Sequence, residues 1–466
     1  MGGNKMKKKI LAGMLSIAMV SSVLAGCGGS DSNTEAVKET KDTKQETVSA
    51  KEEKQESGSS DKGGSQESKT IKILSIWPED KDNGKLFVDL TKKYMEEVNP
   101  NFNYEFELVS SDNLRQKVTT LAASNDLPDV FAYDAGTPLI DLIDAGLVLD
   151  VGSELKNLGV FDMVDEGAVD FLTGMTSTEE LYDLPLGMNI EGFWYNKELF
   201  QKAGIDTPPV TWDEMMQAAD KLLAAGIQPF ATGGADMWPA TRIINAYVMR
   251  KGGVDTMRKA YKGEIKYTDP VITEGAQILQ DMVDKGYFGV GATTVDQNTA
   301  ASMILSGEAA MIYNGSWYTD MLIADTNPAG EDGIGFFNIP TVEGGVGKAE
   351  EYSMNCGTII CFNKDKFDDA TADWLKYFVS HIGDYAINEL GSLKGYKIEN
   401  PPAALNKYSQ LVADEMAKVK GSSTWFEADM PAELSKVAQD NVQSLMNGNM
   451  TAEEYTQSLQ DIYDVK

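Results

Sequence analysis

Four of the seven tryptophans in this chain stand where a regular element hands over to a loop, and carboxylates or amides stand beside them. Trp77 ends the first strand-like run, 71–76, with Glu79 two residues on. Trp238 lies in Asp236-Met237-Trp238-Pro239, after one strand and before a helix, and Trp317 follows the strand 309–313 beside Gly315 and Ser316. Trp425 precedes the terminal helices, with Glu427 close behind, and Asp134 follows Tyr133 at the end of the strand 128–133. An indole offers a flat apolar face, and carboxylates and amides offer directional acceptors. Together they suit noncovalent capture of a ring with an apolar face and a polar rim. Hydrogen bonds to a charged acceptor contribute about 1.5–3 kcal/mol, more than neutral ones. Asp134 equally suits the N-cap of the next helix. Trp194, Trp212 and Trp374 read as core, because each sits within an apolar strand, a helix cap or a buried helical face.

Covalent chemistry is harder to build. His381 is the only histidine, so a His-based zinc site or a Ser-His-Asp triad lacks its parts. Cys356 and Cys361 flank a strand-like stretch. Five strand steps span roughly 16 Å, and a disulfide wants its Cα atoms within about 7 Å, which leaves two free thiols. Gly344-Gly345-Val346-Gly347-Lys348 lacks the first Gly and the final Ser or Thr of a phosphate loop. Glu79-Asp80-Lys81-Asp82-Asn83-Gly84 lacks the closing Glu of a calcium loop. Neither a metal nor a cofactor is expected.

The chain begins with Lys5, Lys7, Lys8 and Lys9, followed by an uncharged apolar run from Ile10 to Val23 and then Leu24-Ala25-Gly26-Cys27. A basic start, a short apolar segment and small residues before a cut site describe an export signal. The run falls short of the roughly 20 apolar residues of a membrane helix. Leu-Ala-Gly-Cys resembles the lipobox of bacterial lipoproteins, which implies cleavage after residue 26 and lipid on Cys27. The formal charge of −31 includes those four lysines, so the mature chain is more acidic still. Such a chain repels phosphate backbones, and no nucleic-acid partner is expected. Residues 27–70 are dominated by Ser, Gly, Asp, Glu, Lys, Thr and Gln, with no aromatic residue, a composition that cannot order itself. The segment reads as a disordered tether holding the folded body off the membrane.

The body alternates strands and helices, which argues for βαβ units and a mainly parallel sheet. Leu86, Leu90 and Tyr94 share a helical face, and Tyr104, Phe106 and Leu108 alternate with acids as a half-buried strand. Thr211 and Glu214 fit a capping box, with Met215, Ala218, Ala219 and Leu222 behind it and Gly226 as the stop.

Several stretches in order resemble the extracellular solute-binding proteins of carbohydrate ABC importers, the family related to maltose-binding protein. They are Leu184-Pro185-Leu186-Gly187, 193–200, 208–214, Gly307-Glu308-Ala309-Ala310-Met311, Gly315-Ser316-Trp317 and 335–340. The resemblance implies a type II two-lobe α/β fold, each lobe a mostly parallel sheet flanked by helices. It divides the chain into an N-terminal lobe of 71–188 and 356–398 and a C-terminal lobe of 189–355 and 399–466. Crossovers then fall near 188–192, 352–355 and 397–402, and place Asn189 and Asn355 beside the cleft. The resemblance also implies that Trp317 and Trp425 stack on a sugar and that Asp134 accepts its hydroxyls; Trp77, Glu79, Asp236, Trp238 and Glu427 complete the candidate set. The implied function is a non-enzymatic monomeric receptor, lipid-anchored on a Gram-positive surface, that closes on an oligosaccharide and delivers it to ABC permease subunits. Two other readings fit the composition. One is a surface glycoside hydrolase using paired carboxylates, and the other is a receptor of the same fold for a cation such as a polyamine.

Overall fold

A computed structural model describes residues 68–324 and 326–465. The export signal, Cys27 and nearly all of the tether lie outside the described residues. Strand β1 (Lys69–Ser75) takes the last two residues read as tether, because Lys69 and Thr70 pair in parallel with the first residues of β2 (Phe102–Leu108). Lys69 Nζ is fixed there by Asp129 at 3.0 Å and Asp368 at 2.9 Å. The first sheet is ordered β2-β1-β3-β9, with β3 (Val130–Tyr133) parallel to β1 and β9 (Ile359–Phe362) antiparallel to β3. Edge position explains why Leu108 of β2 is exposed although its pattern alternates.

The second sheet is built on β4 (Asn189–Asn196). It also contains β5 (Gln228–Ala231), β6 (Ala309–Gly315), β7 (Ile334–Phe337), β8 (Glu351–Asn355) and β10 (Gly421–Ser423). Its order is β10-β8-β4-β6-β5, with β7 also on β4. A mostly parallel sheet was the expectation for both lobes. It holds in the first, whereas in the second β4 is antiparallel to β6, β7 and β8 and only β5–β6 and β10–β8 run parallel. The reversal has a consequence for the site. Since β6 and β8 run back toward the start of β4, Gly315 lies opposite Glu191 and Asn355 lies opposite Asn189.

Each sheet has its own core. Ile71, Ile73, Phe131 and Trp374 pack around the first, while Phe193 and Met311 pack on one face of the second and Trp194 and Ile312 on the other. The period-2 alternation of a strand buried on both sides puts neighbours Phe193 and Trp194 on opposite faces. Membership passes from one core to the other between Leu186 and Ile190, between Met354 and Cys356, and between Tyr396 and Tyr408. The loop after β10 departs from an assignment of 399–466 wholly to the second lobe. Trp425 and Ala428 pack with the first core, and Phe426 and Met430 with the second.

Local signals read from sequence are built as expected. Thr211 and Glu214 form a reciprocal capping box on the helix Trp212–Ala224. Cys356 and Cys361 are buried free thiols, and burial raises both well above the usual thiol range. The segment between β7 and β8 turns at 343–344, although the two strands pair with β4 and not with each other as a hairpin. Residues 79–81 lead into the helix Asp82–Glu97, whose Asn83 and Gly84 are buried where a solvated turn was the expectation.

Candidate functional site

The seven tryptophans fall into two groups. Trp194, Trp212 and Trp374 are 0–2% exposed, each packed in a core, whereas Trp77, Trp238, Trp317 and Trp425 are half-buried. Three of the latter meet at the ends of the second sheet's strands. Trp317 follows β6 in a single 3-10 turn, and Gly315 lets its ring fold back over the strand end, since a Cβ at Gly315 would overlap the indole. Trp238 opens the helix Trp238–Gly252. Its ring meets Trp317 edge-on, with centroids 6.1 Å apart and planes at 62°.

Trp238 is presented by an unusual piece of backbone. Met237 has φ 64° and ψ −52°, and the Trp238 N–H donates to the Asp236 carbonyl at 2.6 Å. This is a γ-turn of the rare, strained sign, of the kind that concentrates at ligand sites. Asp236 is committed as well: its carboxylate accepts from Gln297 N–H at 2.8 Å, at the start of the helix Gln297–Ser306.

Arg242, one turn into the same helix, extends the row. Its guanidinium carbon lies 5.5 Å from the Trp238 ring and 5.4 Å from the Trp425 ring. Beneath it, Arg242 Nη1 is 3.3 Å from Oε1 of Glu191, a fully buried residue of β4. The Asn355 Nδ2 donates to that same oxygen at 2.6 Å, and Asn189 Nδ2 donates to Asn355 Oδ1 at 3.2 Å. Ser316 Oγ in turn donates to Asn189 Oδ1 at 3.1 Å. Asn189 and Asn355, expected beside the cleft, are therefore buried partners of one another at the crossover. Glu191 Oε2 and Arg242 Nε and Nη1 are buried without a hydrogen bond. Such groups are costly unless something else satisfies them.

Glu427 lies under the Trp425 loop, 2% exposed, accepting from the Thr241 hydroxyl. Burial pushes its carboxyl up, while Arg242, Thr241 and Arg115 act to hold it down. Asp134, half-buried at the end of β3, pairs with Arg115 at 2.8 and 2.9 Å. It is held as an ion-pair partner rather than as a helix N-cap. Trp77 packs on the first core and makes no ring contact with the other three indoles, and Glu79 is exposed in the following turn. A cavity of about 200 Å³ also borders the loop after β10, through Ser422 and Thr424, and shares no residue with the aromatic row. Among the described residues no three His, Cys, Asp or Glu side chains gather as metal ligands would.

Glu191, Arg242 and Arg115 were not among the sequence candidates. The available signal was a charge inside an otherwise apolar element: Glu191 in Asn189-Ile190-Glu191-Gly192-Phe193-Trp194, and Arg242 in a helix buried for most of its length. A charge is rarely fully buried unless paired.

Residues 77–383 match the bacterial extracellular solute-binding protein family, and the chain belongs to that family. An uncharacterized ABC transporter extracellular-binding protein of Pyrococcus horikoshii is 26% identical over 72% of this chain and 74% of its own. The alpha-glucosides-binding periplasmic protein AglE of Rhizobium meliloti is 25% identical over 65% of this chain and 67% of its own. Among solved structures, a chitin oligosaccharide binding protein superposes with a TM-score of 0.77 at 25% identity, covering 85% of this chain and 98% of that one. Among the described residues no helix is long and apolar enough to cross a membrane.

Proposed function

We propose that this protein is the receptor of a carbohydrate ABC importer, capturing a sugar or oligosaccharide between its lobes without altering it and presenting it to the permease subunits. One observation carries the reading: Trp238, Trp317 and Trp425 converge, half-exposed, above a floor of buried polar groups that are not all satisfied within the protein. An indole covers the C–H face of a pyranose, and the charged floor suits its hydroxyls. Sugar binding by the alpha-glucoside and chitin-oligosaccharide relatives supports the same class. On this reading the segments 71–188 with 356–398 and 189–355 with 399–466 move as lobes about the crossovers, apart from the 425–430 loop, which sits between them. Ligand favours the closed state because it touches both lobes. Cleavage before Cys27 and its acylation would moor a monomer to the outer face of a cell membrane through the 27–68 tether.

A melting-temperature screen against neutral glycans, followed by chromatography of the incubated glycan, tests this. A ligand that binds the native state raises the melting temperature by mass action. The expected result is a rise with at least one glycan, which is recovered intact. Shortened glycan, in an amount that survives purification, would make the protein a hydrolase. A rise with polyamines alone would make it a cation receptor.

A further inference from the structure

The aromatic row is held by more than the packing of its rings. Trp238 and Trp425 come from segments 187 residues apart, and the group between them is the Arg242 guanidinium, 5.5 and 5.4 Å from the two ring centroids. A guanidinium is planar and stacks on aromatic faces, which an ammonium on a flexible stem does not reproduce. Arg242 is itself fixed from below by Glu191, which cannot move independently because it sits inside β4 and accepts from Asn355. Asn355 also accepts from Gly357 N–H at 2.7 Å, at the point where the chain leaves β8 for β9. Asn189, hydrogen-bonded to Asn355, reaches Ser316 and so the residue before the third indole.

We propose that Arg242 is the positioning residue of the aromatic site, and that Glu191 and Asn355 tie its position to the crossover between the lobes. This deepens the carbohydrate reading and rests on it for the identity of the ligand. The Coulomb attraction of Glu191 orients the guanidinium. The guanidinium sets the spacing of Trp238 and Trp425. Any rotation of the crossover that shifts Asn355 is passed to the indoles through one buried carboxylate. Sugar affinity and lobe angle are then two readings of the same linked set of side chains.

The test uses the exported chain labelled with 5-fluorotryptophan, whose seven fluorine resonances are assigned by single Trp→Phe changes. In ligand-free protein, Arg242→Gln is expected to move the Trp238 and Trp425 resonances and leave those of Trp194, Trp212 and Trp374 in place. A general loss of structure would instead broaden all seven. Arg242→Lys, which keeps the charge and guards against a misfolded Gln variant, is expected to move the same two. Glu191→Gln should move them less. Against any glycan that binds the wild type, both Arg242 variants are expected to bind 10- to 100-fold more weakly. Unmoved Trp238 and Trp425 resonances, or glycan affinity retained within twofold, would overturn the proposal. The two readings fail separately. If no glycan binds the wild type, the carbohydrate assignment falls while the resonance shifts still decide the role of Arg242.

Discussion

At the scale of single residues, the placement of charge is what distinguishes this chain. The fully buried Glu191 is paired with the partly buried Arg242, and removing Arg242 is expected to cost more than the pair contributes, because it leaves the buried charge stranded. Asp183 is a different case. It is 1% exposed with Oδ2 unpartnered, and burial pushes its carboxyl up to about 7. Its surroundings are Cys356, Cys361 and Tyr396, groups that burial keeps neutral. The folded state therefore holds the Asp183 proton over a range where the unfolded chain has already lost it. Stability from this group is present in full below about pH 4, falls as pH rises toward 7 and levels off above, a loss on the order of 4 kcal/mol. Asp183→Asn removes the titration. Its melting temperature relative to wild type is expected to rise between pH 4.5 and pH 8, as followed by circular dichroism. A difference that stays flat across that range would show that Asp183 is not holding a proton in the fold.

At the scale of elements, the site is a product of strand direction. Because β6 and β8 run back toward the first residues of β4, the turn carrying Trp317 and the amide of Asn355 arrive at one place. Gly315 is the residue that lets the indole lie over the strand end. Gly315→Ala should displace the ring and weaken glycan binding by about 1–3 kcal/mol, the range for losing an aromatic anchor. In a Trp317→Ala background the same change should cost nothing further, since the ring it displaces is gone. Additive losses by calorimetry would mean that Gly315 acts on something other than Trp317. The elements themselves were legible in the sequence where their signals are local: the Thr211–Glu214 capping box, the helical stripe of Leu86, Leu90 and Tyr94, and the burial of Trp374 among Leu375, Phe378 and Val379. What could not be read was pairing across the chain. Glu191 meets Arg242 51 positions later and Asn355 164 positions later, and nothing in a strand's own pattern announces its partner's direction. The same blindness made Asn189 and Asn355 look like ligand contacts, when their amides are spent on each other and on Glu191, Ser316 and the Gly357 N–H.

At the scale of the whole molecule, the 425–430 loop is one of the places where the two cores touch, Phe171 and Met188 being others. Thr137 Oγ1, in the helix that follows β3, donates to the Asp429 carbonyl at 3.1 Å. Gly136, at φ 82°, lies so close that a Cβ would stand 2.9 Å from the Ala428 carbonyl oxygen. Gly136→Ala meets both a strained dihedral and that oxygen. It is expected to open the lobes, with a larger radius of gyration by small-angle X-ray scattering and about tenfold weaker ligand binding, or about 1.4 kcal/mol. An unchanged radius with unchanged affinity would remove this contact from the account of closure. The central claim is that a carbohydrate is gripped by the indoles at the strand ends. Isothermal titration of the wild type and of the Trp238→Ala/Trp317→Ala double variant with a glycan that stabilises the wild type tests it most directly. The account predicts binding by the wild type and at least a hundredfold loss in a double variant that still melts cooperatively near the wild-type temperature. Equal affinity in the two proteins would contradict it.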